Sequence, residues 1–95
     1  MAEPLSDEKI ARALDTLPGW EHESHKLSKE FSFENFRDAM AFINRIAFEA
    51  EEQVHHPEIF NVYNTVNISL STHDAGGKVT EKDIKLANTI ESLYN

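Results

Sequence analysis

The sequence predicts an α+β fold, a four-stranded antiparallel sheet with three helices on one face, in the order α-β-β-α-β-β-α. Three observations carry this expectation. Apolar residues recur at helical spacing in three segments. Between those segments lie two pairs of short runs with strand-like character, each pair separated by a turn-length gap. Finally, 95 residues with 40% hydrophobic and 27% charged content suit one domain, residues 1–95, around a single core.

The first helix begins after Ser6, which can cap it, with Asp7 and Glu8 where the helix dipole favours acid. Leu5 and Ile10 have the spacing of a hydrophobic staple; Ile10, Ala13, Leu14 and Leu17 form the apolar stripe, and Pro18-Gly19 ends the helix. Trp20 to His25 reads as a polar edge strand with Trp20 turned to the core, and His22 and His25 face solvent. A hairpin near Ser24 to Lys26 leads into a half-buried strand in which Leu27, Lys29, Phe31 and Phe33 alternate with polar neighbours.

The second helix runs from about Asn35 to His55. At 100° per residue Phe36, Ala39, Met40, Ile43, Ala47, Ala50 and Val54 gather on one face. Phe42 and Phe48 fall off that face and suggest a subunit interface, which a small domain gains stability from. Pro57 biases His56 away from helical backbone and so stops the helix near His55. Ile59 to Tyr63 is then a short strand, and a turn at Tyr63-Asn64-Thr65 leads into the next. In that strand Val66, Ile68 and Leu70 alternate with Asn67, Ser69, Ser71 and His73. Asp74 to Lys78 is a loop. Thr80 caps the last helix, Asp83 stands where it can return a bond to the cap, and Val79 with Ile84 forms a second staple. Ile84, Leu86, Ala87, Ile90 and Leu93 supply its buried side.

A formal net charge of −8 and the lack of any basic run weigh against nucleic acid or an anionic membrane as partner. Gly76-Gly77 is a turn pair, not a phosphate loop. With no cysteine there is no disulfide, thiolate metal site or thiol nucleophile. The opening Met1-Ala2-Glu3-Pro4 has neither the basic nor the apolar region of a secretory leader, and no segment reaches the roughly 18 apolar residues of a membrane span. The expected location is cytoplasmic.

The chemistry gathers at Glu51-Glu52-Gln53-Val54-His55-His56-Pro57 and at His73. Glu51 and His55, four residues apart in the last helical turn, are expected to share a face, which makes His55 a candidate proton donor. His56, extended before Pro57, points elsewhere, and His73 adds a third imidazole from the polar strand. One histidine at a helix end is most often structural; such a cluster of titratable groups marks an active-site candidate. The same residues with Glu51 could ligate zinc, but adjacent histidines seldom converge on one ion.

At these positions the chain resembles the pterin-4a-carbinolamine dehydratase family. The resemblance rests on Glu51, His55-His56-Pro57, Tyr63, His73 and Asp83, supported by Pro18-Gly19-Trp20 and Phe60-Asn61-Val62-Tyr63-Asn64, and it spans about Leu5 to Leu93. It implies dehydration of a 4a-hydroxytetrahydropterin to quinonoid dihydropterin and water, as in tetrahydrobiopterin recycling, without metal or redox cofactor. It also implies a homodimer or homotetramer and, in animal members, a second life as a dimerisation cofactor of a transcription factor. By the resemblance His55, His56, His73 and Glu51 carry the catalysis. Substrate contacts fall to His55, His56, Pro57, Thr72, His73, Asp74 and Ala75, with Trp20 and Asp83 in support. Some relatives have Glu and Cys where this chain has Asp74 and Ala75, and the loop before Asp83 is one residue longer here.

Overall fold

The computed structural model describes residues 2–94. Its elements are α1 (Asp7–Leu14), β1 (Glu21–Glu23), β2 (Lys26–Ser32), α2 (Phe36–Gln53), β3 (Glu58–Val62), β4 (Thr65–Leu70) and α3 (Glu81–Tyr94), with a short 3₁₀ turn at His73–Ala75 before the last helix. All strand pairs are antiparallel and the order across the sheet is β1-β2-β4-β3, so the two hairpins join through their long strands.

Local sequence explains each junction. Ser6 Oγ accepts the Lys9 N–H at 3.2 Å and Asn35 Oδ1 accepts the Asp38 N–H at 2.8 Å, so α1 and α2 start where a short polar side chain satisfies an orphan donor. The first hairpin turns on Ser24 and His25, both at positive φ, the twist that matches two-residue hairpin loops. The second turns on Tyr63-Asn64, and Asn64 Nδ2 donates to Phe33 O at 3.0 Å, tying the turn to the end of β2. The first helix stops at Leu14, three residues short of Leu17; a looser turn carries Leu17 into the core ahead of Pro18-Gly19.

The three helices share one core with the inner face of the sheet. Leu27 and Phe31 of β2 and Val66, Ile68 and Leu70 of β4 are buried against Ile10, Ala39, Phe42, Ile46, Ala50, Leu86, Ala87 and Ile90. Lys29 stands in the same inward row; its ammonium donates to Glu91 Oε2 at 2.6 Å and to Pro18 O at 2.7 Å. A cation can occupy that row only because its stem packs while its head is paired. The opposite face carries Ser28 bonded to Ser69 (3.1 Å), Lys26 bonded to Glu58 (2.7 Å) and Asn67, the polar ladder expected of a half-solvated sheet.

Two expectations about α2 are corrected. Phe42 is fully buried, not an interface residue: its ring lies 5.0 Å from those of Phe31 and Phe33 and 5.8 Å from that of Tyr94. The buried stripe is Ala39, Phe42, Ile46 and Ala50, which leaves Phe36, Phe48 and Val54 exposed. An aromatic ring buries far more apolar surface than an alanine, so the helix rotates to place Phe42 inside. The helix also ends before His55. Val54 caps it at φ 51°, ψ 44°, in the left-handed region, with the Val54 N–H donating to Glu51 O (3.1 Å) and the His55 N–H to Ala50 O (3.0 Å). Among the described residues no helix is long and apolar enough to cross a membrane.

Candidate active site

The reversal at Val54 decides the geometry of the histidines. Because the chain leaves the helix axis there, the expected pairing of Glu51 with His55 does not form. Glu51 Oε1 instead meets His56 Nε2 at 2.8 Å on the exposed surface, and His55 swings inward until it is 8% exposed. There its Nε2 lies 2.6 Å from Oδ1 of Asp83, the third residue of α3.

Asp83 has no exposed surface, yet its oxygens are satisfied. Besides His55, it accepts the Thr80 N–H at 2.9 Å, the returned bond of the capping box, and the Thr72 hydroxyl at 2.8 Å. A residue at this cap position thus serves the helix with one oxygen and the imidazole with the other. An ionised carboxylate only accepts, so the bond between Oδ1 and Nε2 is donated by the imidazole, and Nδ1 is the ring nitrogen of His55 left for chemistry.

A cavity of about 220 Å³ opens over these groups where the ends of α2 and β4 meet the start of α3; Val54, His55, His56, Ser71, Thr72, His73, Asp74 and Lys82 line it. That is below the roughly 300–1,000 Å³ of sites for drug-sized ligands, and suits one small ring system. Of the candidates from the sequence, His55, His56, Thr72, His73 and Asp74 therefore converge on one space. Pro57 and Ala75 flank it without lining it, and Glu51 and Asp83 stand behind His56 and His55 respectively. Trp20 is elsewhere: it packs edge-on to Phe31 and donates from Nε1 to Glu91 at 2.9 Å. His73 sits in the 3₁₀ turn and not on the strand, which stops at Leu70, and its side chain is exposed. Thr72 is buried, its N–H bonded to Lys78 O and its hydroxyl to Asp83, so it faces the protein with both groups.

Val54, Ser71 and Lys82 line the cavity without being among the candidates from the sequence. For Lys82 the signal is position: it is the second residue of a capped helix whose third residue stands directly behind His55. Among the described residues no three His, Cys, Asp or Glu side chains lie close enough to hold one metal ion.

Comparison with known proteins agrees with this architecture. A protein of Christiangramia forsetii provisionally named pterin-4-alpha-carbinolamine dehydratase is 50% identical over 93 residues, covering 98% of this chain and 95% of its own. A provisionally named counterpart in Thermomicrobium roseum is 49% identical over 89 residues, covering 94% and 95%. Among solved structures, a transcriptional coactivator/pterin dehydratase from Brucella melitensis superposes with a TM-score of 0.92 at 35% identity, covering 97% of this chain and 99% of that one. A pterin dehydratase-like protein identified as a RuBisCO assembly factor in the alpha-carboxysome gives 0.65 at 26% identity, covering 80% and 87%. The family model described as pterin 4 alpha carbinolamine dehydratase matches residues 3–93, and this chain belongs to that family.

Proposed function

We propose that this protein is a hydro-lyase that removes water from a 4a-hydroxytetrahydropterin, giving the quinonoid dihydropterin, by histidine acid–base catalysis. The observation that carries the reading is the convergence of His55, His56 and His73 on one small cavity, in a chain whose relatives are named for this dehydration. In the reaction the C4a–O bond breaks, the oxygen leaves as water with a proton from a catalytic acid, and the N5–H proton passes to a base as the N5=C4a bond forms. An imidazole, with an unperturbed pKa of about 6.5, can fill either role near neutral pH.

The residues divide the work by their surroundings. Glu51 holds His56 through Nε2, which leaves Nδ1 of His56 to orient the ring and take the N5 proton. His55, held by Asp83 through Nε2, donates from Nδ1 once that nitrogen too is protonated, and His73, at the rim with no side-chain hydrogen-bond partner among the described residues, serves the departing hydroxyl from the other face. The test is the rate of loss of 4a-hydroxytetrahydropterin absorbance with and without protein, in the presence of a chelator. Acceleration that survives chelation is expected; a rate equal to the spontaneous one would overturn the reading.

We further propose that copies of the chain associate. The supporting observation is β3, an edge strand that exposes Ile59, Phe60 and Val62 and leads into the exposed Tyr63. The names of the two solved neighbours give those proteins a coactivator and an assembly role; for a protein partner of this chain, Phe36 and Phe48 of α2 are exposed apolar residues outside β3.

A further inference from the structure

Behind the cavity lies a chain of hydroxyls that the acid–base reading does not use. Thr72 Oγ1 and Thr80 Oγ1 are 2.6 Å apart, both residues are buried, and the direction of every bond can be assigned. Thr72 has one hydroxyl proton, and it goes to Asp83 Oδ2, which as a carboxylate only accepts. Thr80 must therefore donate to Thr72. Thr80 in turn accepts the Lys82 N–H at 3.2 Å. The result is a one-way sequence of donation from the Lys82 amide through Thr80 and Thr72 to Asp83 Oδ2, while Asp83 Oδ1 accepts from Nε2 of His55.

We propose that Thr72 and Thr80 are positioning residues that hold the Asp83 carboxylate in one orientation and thereby hold His55 as its Nε2–H form, with Nδ1 presented to the cavity. Bonds of fixed direction polarise one another in a buried setting, and loss of one leaves the next donor or acceptor unmatched. Without the Thr72 hydroxyl, Oδ2 keeps only the Thr80 N–H, and the carboxylate can rotate about its own axis away from the imidazole. Thr72 has a second consequence for the site. Its carbonyl accepts the N–H groups of Ala75 and Gly77, both at 3.0 Å, closing the turn that carries His73. One residue thus joins the placement of His55 to that of His73.

The proposal rests on the dehydratase reading for its catalytic consequence but not for its structural one, so the experiment reads both. Thr72→Val replaces the hydroxyl by a methyl of the same shape; Thr72→Ser keeps it; Thr80→Val removes the outer link together with the bond from the Lys82 N–H, and leaves the Thr72–Asp83 bond in place. Side-chain ¹⁵N and ¹H NMR of His55 reports the tautomer without substrate. Thr72→Val is expected to lose the hydrogen-bonded Nε2–H signal or mix the tautomers, and to lower kcat by about 10- to 100-fold, the scale of a misplaced catalytic group. Thr72→Ser should retain the wild-type signal and restore the rate, and Thr80→Val should give the smaller change in the same direction. An unchanged His55 signal in folded Thr72→Val, or in Thr80→Val if Thr72→Val does not fold, would overturn the proposal, as would a changed signal with unchanged kcat. If the wild-type protein dehydrates no pterin, the function fails while the NMR result still decides the hydroxyl chain.

Discussion

A carboxylate with no exposed surface is stable only if its lone pairs are used, and Asp83 uses them on the Thr72 hydroxyl, the Thr80 N–H and His55 Nε2. Asp83→Asn offers one acceptor oxygen where two are needed, and its amide group must face a donor on one side or the other. The expected loss is about 2–4 kcal/mol, the scale of a buried hydrogen-bonded charge left partly unmatched, measured by urea unfolding. A variant as stable as wild type would show that the network carries no weight. The same burial affects the choice of histidine variants. His55→Ala would remove Asp83's partner along with the imidazole, so a lost rate there mixes folding with chemistry. His56 and His73 are exposed, and alanine at either is expected to leave the unfolding midpoint in place while lowering the dehydration rate by about 10²–10⁴-fold, the usual worth of a positioned acid or base. Unchanged rates in both would sink the assignment of roles.

At the level of elements, what the sequence made legible was set by how many local signals agreed. The caps at Ser6 and Thr80, the hairpin at Ser24 and His25, and the alternation of Val66, Ile68 and Leu70 each had one physical reading, and each stands. The phase of α2 did not, because apolar residues occur on most of its circumference and only the rings of Phe31, Phe33 and Tyr94 select Phe42 as the inward one. Those partners are distant in sequence, so periodicity within the helix cannot weigh them. The histidine cluster was legible as a cluster, but its pairings were not, since they depend on Val54 adopting a conformation that sequence rules reserve for glycine or asparagine. A β-branched residue at φ 51° is strained by roughly 1–2 kcal/mol. Val54 is also 75% exposed and buries little in compensation. Val54→Gly is therefore expected to raise stability by about 0.5–1 kcal/mol after the entropy of the added glycine is deducted, read as a higher midpoint in thermal or urea unfolding. A lower midpoint would mean that the valine side chain at the cavity wall contributes packing that outweighs the strain.

For the molecule as a whole, the open question is what covers the sheet edge at β3. The β1 edge is three residues long and carries Glu21 and Glu23, features that discourage pairing with another strand. The β3 edge has no such protection in its second half: Phe60 and Val62 are 64% and 56% exposed, and Tyr63 follows at 61%. Both lie on the face that carries Asn67 and Thr65, away from the core, so the helices cannot reach them. Exposed apolar side chains beside unpaired backbone groups favour a second strand of the same kind, and antiparallel pairing of two β3 strands would satisfy both at once. Val62→Lys places a charge at that edge without touching the core or the cavity. If copies meet there, the variant should sediment or scatter as a smaller species than wild type at the same concentration, with the unfolding midpoint becoming independent of protein concentration. An unchanged mass in the variant, with wild type still associated, would move the interface to the outer side of α2, where Phe48 is 77% exposed. A monomeric wild type would leave the apolar edge uncovered in solution and remove self-association from the account.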